Sequence, residues 1–211
     1  MRISWVFDVI SPFAYLSFKE LSRLPAGIED QFVPVLFAAL LNHYGQVGNA
    51  EIEAKRQFTY RFVLWRAMTL GIPMRMPPAH PFNPLRALRL IIAAGSDRRA
   101  VETVFDAVFL HGRDVTDTAS IAELAQKLNV ADPERVLNDA AVKDKLRANT
   151  EWAIERGVFG VPTFVIGDEV FWGHDALDMV LDYIRDPGRF ESPEMKKIKS
   201  LPVGVVRTQK H

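Results

Sequence analysis

Two short segments 150 residues apart constrain this chain more than anything else in it. The first is the run Ile3-Ser4-Trp5-Val6-Phe7-Asp8, which leads into Ser11-Pro12-Phe13-Ala14-Tyr15. The second is Gly157-Val158-Phe159-Gly160-Val161-Pro162-Thr163-Phe164-Val165-Ile166-Gly167. Aromatic and β-branched residues at consecutive positions 3–8 predict a short strand, apolar on both faces and covered on both sides. Ser11 and Pro12 then predict a helix start, because serine caps well and proline is favoured at the first helical position. Residues 163–166 predict a strand entered through Val161-Pro162. Two sheet-forming segments far apart in sequence must therefore come together across a long intervening stretch.

That stretch reads as helical. A second strand over residues 28–36 completes a β-α-β unit, which implies a right-handed crossover and a parallel pair. Residues 56–70 place Phe58, Phe62, Trp65 and Thr69 at helical spacing, with Trp65 read as core. Gly71-Ile72-Pro73 ends that helix, and residues 73–84 form a proline-rich loop. Further helices are predicted over residues 85–95, 100–111 and 117–128, the last with Ser120 and Glu123 at capping-box spacing. Asp132-Pro133-Glu134 starts another, and residues 140–157 form the last long one, with Gly157 as its stop. A hairpin follows, with arms 163–166 and 170–172 around Gly167-Asp168-Glu169, then a final helix over 176–184. Beyond residue 186 the tail is polar and is expected to be peripheral or poorly ordered.

The order βαβ, helices, ββα resembles a thioredoxin-like sheet interrupted by a helical block. The expectation is an α/β chain with a thioredoxin-like domain from 1–37 and 151–186. A large all-helical insertion occupies 38–150, and a C-terminal tail 187–211.

Composition removes several functions. Lys+Arg and Asp+Glu both number 26, so no charge imbalance points to nucleic acid or an anionic membrane. There are no cysteines, which excludes a protein disulfide, a thiolate metal site and a dithiol oxidoreductase. His43 and His80 lack a spacing partner for a metal, so no metal site is expected. No apolar run approaches the roughly 18 residues that span a bilayer. The N-terminus enters a strand without a basic-then-apolar leader, so a cytoplasmic protein is expected.

Each candidate site residue has two readings. Ser11 sits where a strand hands over to a helix, where backbone N–H groups and the helix dipole favour negative charge. A thiolate held there would be stabilised, and the serine hydroxyl can donate to its sulfur; the plainer reading is an N-cap. Val161-Pro162-Thr163 reads as a cis-proline loop that leaves the N–H and C=O of Val161 for an extended peptide, or as a proline at a strand entrance. At Gly173-His174-Asp175, Asp175 either caps the last helix or takes an ammonium group while nearby N–H groups receive a carboxylate. His174 is either a surface residue or a ligand. Phe13 either lines a substrate pocket or packs in the core. Asn49, Lys55, Arg56, His80, Asn83 and Arg86 are polar residues around the helical block. Of these, Lys55 and Arg56 suit a bound carboxylate.

These motifs together resemble the 2-hydroxychromene-2-carboxylate isomerases, relatives of kappa-class glutathione transferases, over residues 3–186. Ala54-Lys55-Arg56, Gly71-Ile72-Pro73 and the stretch from Gly167 to Asp175 add to the match. The resemblance implies glutathione as cofactor. It implies that Ser11 is catalytic and holds the glutathione sulfur, and that Val161 pairs with the cysteinyl backbone. Trp172, Gly173, His174 and Asp175 then hold the γ-glutamyl group, and Asn49 and His80 face the substrate. The implied reaction is reversible thiol addition that isomerises 2-hydroxychromene-2-carboxylate to trans-o-hydroxybenzylidenepyruvate, in a homodimer. The alternatives are a kappa-like transferase that conjugates electrophiles, and a thioredoxin-like module that binds without chemistry. The chain departs from the family at Leu40-Leu41-Asn42-His43-Tyr44, where many members have glycines and some a lysine. It departs again at Glu53, which replaces a common proline.

Overall fold

The computed structural model describes residues 1–205. Strand β1 (Arg2–Phe7) leads to helix α1 (Pro12–Glu20) and returns in β2 (Glu29–Pro34). Helices α2 (Phe37–His43), α3 (Glu53–Leu70), α4 (Leu85–Ala93), α5 (Arg98–Phe105), α6 (Thr118–Lys127), α7 (Pro133–Asn138) and α8 (Ala140–Glu155) follow. The chain re-enters the sheet through β3 (Thr163–Ile166) and β4 (Glu169–Trp172), then forms α9 (Leu177–Arg185) and α10 (Pro193–Ile198). The sheet order is β2-β1-β3-β4. β1 runs parallel to β2, in the register Trp5 opposite Phe32, and antiparallel to β3, with Trp5 opposite Phe164. The expected α/β architecture and the ββα closure are therefore present.

The pleat of β1 sorts two cores. Ile3, Trp5 and Phe7 point into the larger one, where Trp5 stacks on Phe7 at 4.7 Å and Phe105 packs on both rings. Val6 points the other way, with Val33, Val35 and Val165, onto Ala153 and Val158. Alternation with period two thus gives one strand an aromatic face and an aliphatic face, both dry. This fixes β1 in the middle of the sheet and Ser11 at its C-terminal end.

Five local expectations need amendment. Trp65 is not core: it is 54 % exposed. Helix α3 docks through a narrow seam of Val63 and Ala67, and Trp65 lies two residues from each, about 200° around the helix from both. Asp117, not Ser120, caps α6, its carboxylate accepting the Ser120 N–H at 2.9 Å, while Glu123 pairs with Arg113. Residues 100–111 are not one α-helix, since α5 ends at Phe105 and widens into a π-helical turn, Asp106–Leu110. The division expected at residue 150 falls inside α8, whose Asn149 donates to Pro34 O at 3.1 Å and whose Thr150 hydroxyl accepts the Leu36 N–H. The tail through residue 205 lies at the periphery, yet its start is docked: Phe190 packs on Tyr183 at 5.3 Å and on Phe171, and Ser192 caps α10. A single aromatic in a polar stretch carries no periodicity that would reveal it. Residues 206–211 of that expected tail lie outside the described residues.

Candidate active site

Asp8 ends β1 as a fully buried carboxyl group. Its oxygens accept the N–H groups of Ile10 at 3.0 Å and Phe37 at 2.9 Å, and its backbone carbonyl accepts the Ser11 N–H at 3.0 Å. Loss of water pushes its pKa up to about 7, against the pull of the Phe37, Ile10 and Val9 N–H groups. Asp8 thus ties together the end of β1, the start of α2 and the turn that presents Ser11.

Ser11 is the N-cap of α1, its hydroxyl oxygen accepting the Ala14 N–H at 3.2 Å. The capping reading and the functional reading are compatible, because the hydroxyl proton is directed elsewhere. It points to Val161 O at 3.4 Å, across 150 residues of sequence. That is long for an O–H···O contact, so the proton is weakly held and available to a better acceptor. The N-terminal end of α1 lies at the same point and favours an anion.

The Val161-Pro162 bond is cis. Among the described residues the Val161 N–H has no hydrogen-bond partner. The loop is fixed from the other side. Gly173 N–H donates to Pro162 O at 2.9 Å, and the Thr163 hydroxyl donates to Gly160 O at 2.7 Å. A Cβ on Gly160 would lie 2.4 Å from Trp172 Nε1, so glycine there is what lets the indole close over the loop. Trp172 stands against Phe159 at 5.0 Å and remains 54 % exposed.

His174 is buried, not at the surface. Its ring stacks on Phe13 at 5.5 Å, and its Nε2 accepts from Arg66 Nε at 3.2 Å. Accepting there requires the neutral ring, and burial holds its pKa below the ordinary value, opposed by Asp175 and helped by Arg66. Asp175 does not cap α9; its carboxylate is exposed and makes no ion pair among the described residues. Phe13 and Asn49 come together in an open cleft of about 490 Å³, walled by Phe58, Phe62, Thr59, Ala54 and Lys55.

His80 is elsewhere. It sits behind Ile10, its Nε2 at 2.7 Å from Ile10 O and its Nδ1 at 2.7 Å from the Tyr60 hydroxyl. Both ring nitrogens are engaged, and His80 is absent from the cleft lining. Burial lowers its pKa, against the Ile10 hydrogen bond. Asn83 accepts the Leu85 N–H at the start of α4, and Arg86 pairs with Glu134.

The structure therefore gathers Ser11 with Val161, and Phe13 with His174 and Asn49. Trp172 and Gly173 brace the loop. Sequence reasoning assigned no role to Asp8, Tyr60 or Arg66. Asp8 had one signal, a charge closing an otherwise apolar strand; the other two are polar helix positions like many others. Among the described residues no group of three or more His, Cys, Asp or Glu could hold a metal ion. Nor is any helix among them long and apolar enough to cross a membrane.

A family model described as a DSBA-like thioredoxin domain matches residues 2–185. The 2-hydroxychromene-2-carboxylate isomerase of Pseudomonas putida is 32% identical over 190 residues, covering 85% of this chain and 92% of its own length. Glutathione s-transferase kappa 2 of Caenorhabditis elegans is 28% identical over 217 residues, covering 92% and 96%. A solved structure of 2-hydroxychromene-2-carboxylate isomerase matches with a TM-score of 0.81 at 29% identity, over 90% of this chain and 98% of the other. The serine at the helix N-terminus, the facing cis-proline loop and these matches agree: the chain belongs to the DsbA-like thioredoxin-domain family, among the 2-hydroxychromene-2-carboxylate isomerases and kappa-class glutathione transferases.

Proposed function

We propose that the protein is a glutathione-dependent isomerase that converts 2-hydroxychromene-2-carboxylate, or a related intermediate of aromatic-ring breakdown, to trans-o-hydroxybenzylidenepyruvate. The observation that carries this is the Ser11 hydroxyl at the N-terminus of α1, 3.4 Å from the carbonyl that precedes cis Pro162, in a chain with no cysteine. Such a site suits a thiolate that the protein does not own.

The residues fit glutathione in three respects. The Val161 N–H is unpartnered among the described residues and suits the cysteinyl backbone. The Asp175 carboxylate is exposed and suits the γ-glutamyl ammonium. Ser11 has a weakly held proton to give to sulfur. When bound, glutathione supplies a thiolate that adds reversibly to the unsaturated substrate and is released unchanged. Ser11 and the α1 N-terminus hold negative charge on that sulfur. Phe13, Phe58 and Phe62 offer flat apolar walls to an aromatic substrate, and Lys55 and Asn49 offer polar contacts to its carboxylate.

Calorimetric titration with reduced glutathione, on wild type and Ser11→Ala, tests the cofactor. Saturable binding weakened by the substitution supports the reading; no binding at millimolar glutathione overturns it. Product analysis then separates the second reading, a kappa-like transferase, which the similarity to the C. elegans protein favours. Unchanged glutathione at the end means isomerase, and a stable thioether means transferase. The expected homodimer has an apolar strip available in Trp65 (54 % exposed) and Met68 (79 % exposed). A monomer mass by light scattering would overturn it. A cytoplasmic location is proposed with the glutathione supply it requires.

A further inference from the structure

Ile10, the residue immediately before Ser11, is gripped at both of its backbone polar groups by side chains. Its N–H goes to Asp8 Oδ1 at 3.0 Å, and its carbonyl accepts from His80 Nε2 at 2.7 Å. The carbonyl of Ile10 and the N–H of Ser11 belong to one planar peptide unit. That N–H donates to Asp8 O at 3.0 Å, so the whole unit is pinned on both edges. Rotating it would swing Ser11 and move its hydroxyl relative to Val161 O.

His80 does not come from the same part of the chain as Ser11. It lies in the proline-rich loop between α3 and α4, 70 residues away. A carbonyl only accepts, so Nε2 carries the proton and, in the neutral ring, Nδ1 accepts from the Tyr60 hydroxyl. The hydroxyl has one proton, shared between Nδ1 and the His80 carbonyl 2.9 Å away, and both contacts set the loop backbone against α3. Tyr60 follows Thr59, a lining residue of the cleft. One hydrogen-bonded chain therefore runs from helix α3 through Tyr60 and His80 to the peptide that carries Ser11.

We infer that His80, held by Tyr60, is a positioning residue that sets the Ile10–Ser11 peptide and thereby aims the Ser11 hydroxyl and the α1 N-terminus at the thiol. The inference rests on the glutathione reading above. It assigns His80 to the back of the site, where it acts through Ser11 without touching the substrate. Hydrogen bonds in series reinforce one another, so withdrawing the His80 donor weakens the Ser11 N–H to Asp8 contact as well as freeing the carbonyl.

The test follows the ultraviolet absorbance of the glutathione thiolate against pH, with the full-length protein and reduced glutathione in its saturating range. Four proteins are compared: wild type, His80→Asn, His80→Gln and Tyr60→Phe. Asparagine is too short to reach the Nε2 position, whereas the glutamine amide reaches it and donates. His80→Asn is expected to raise the pKa of the bound thiol by about one unit, a tenfold loss of thiolate at fixed pH below it. His80→Gln is expected to restore most of the wild-type value, and Tyr60→Phe to shift it upward by less. A role confined to folding would lower the melting temperature of all three variants and leave the bound-thiol pKa unmoved. Glutathione binding with an unshifted pKa in His80→Asn overturns this inference and leaves the functional reading standing. Absence of binding by wild type overturns both. Where His80→Asn does not fold, Tyr60→Phe decides, an upward shift supporting the inference and an unchanged value overturning it.

Discussion

The candidate site has two sides, the Ser11 turn and the α3 face that lines the cleft, and they are built in opposite ways. The Ser11 wall is anchored from every side. Asp8, Ser11 and Val161 are buried, and the turn between them is tied by Asp8, by His80 and by the α1 cap. The α3 side buries one narrow seam, Val63 and Ala67, adds hydrogen bonds from Tyr60 and Arg66, and turns Phe58, 68 % exposed, toward the open cleft. A fixed geometry suits a group that is the same in every turnover, as a cofactor thiol is. A loosely seated aromatic wall suits the partner that varies between relatives.

The largest expected effect lies in the core under the rigid wall. Phe105 is fully buried and touches Trp5, Phe7, Tyr15, Phe18 and Phe109. Phe105→Ala should cost about 3–5 kcal/mol of stability, read as the midpoint of chemical unfolding. A cost below about 1 kcal/mol would mean that the aromatic cluster repacks freely, and the rigidity argued for that wall would fail.

Next is Ser11→Ala. As a cap, Ser11 contributes about 1 kcal/mol to stability. As a donor to developing or resident charge, it is worth roughly 10²-fold in kcat. The expected outcome is a folded protein with kcat down about 10²-fold, and both numbers come from one variant. Equal kcat in the two proteins would reduce Ser11 to its cap.

Asp8 gives a smaller, pH-dependent effect whose sign is fixed. Its pKa rises from 3.8 to about 7 on folding, so between those values the folded state binds more protons than the unfolded chain. Stability therefore falls as pH rises through that window, and the penalty is fully present above it. Asp8→Asn carries no such charge but loses one acceptor for the Ile10 or Phe37 N–H. The stability difference between wild type and Asp8→Asn should favour wild type at pH 5 and shrink or reverse at pH 8. A difference that grows with pH would mean that the carboxylate, not the acid, is the favoured buried form.

The rigid wall is also the wall that could be read from sequence. β1 and the start of α1 follow from local rules: a consecutive apolar run, then Ser-Pro at a helix start. Val161-Pro162 likewise sits beside a glycine and a hairpin that frame it. His174 and His80 could not be placed by such rules. What decides the position of each is a contact with a residue far away in sequence, Arg66 and Phe13 for one, Ile10 and Tyr60 for the other. Trp65 failed for a different reason. Helical spacing identifies a stripe but not which side of the helix is docked, and small residues at Val63 and Ala67 took the contact. Asp175 was placed on the right turn, yet its freedom from capping came only with the geometry of Gly173, whose φ is +105°.

The smallest expected effect belongs to the loose wall. Phe58 stacks on Phe62 at 5.9 Å and otherwise faces the cleft, so little of the fold depends on it. Phe58→Ala should change stability by no more than about 0.5 kcal/mol, the usual range for a surface position. Its ring lines the cleft beside Phe62, away from the Ser11 turn, so it should bind substrate and transition state about equally. Removing such uniform binding raises KM and leaves kcat alone. A several-fold rise in KM for an aromatic substrate is expected, with glutathione affinity unchanged. A fall in kcat instead would mean that the α3 wall also aims the substrate, and the division between a fixed wall and an adaptable one would have to be redrawn around Phe58.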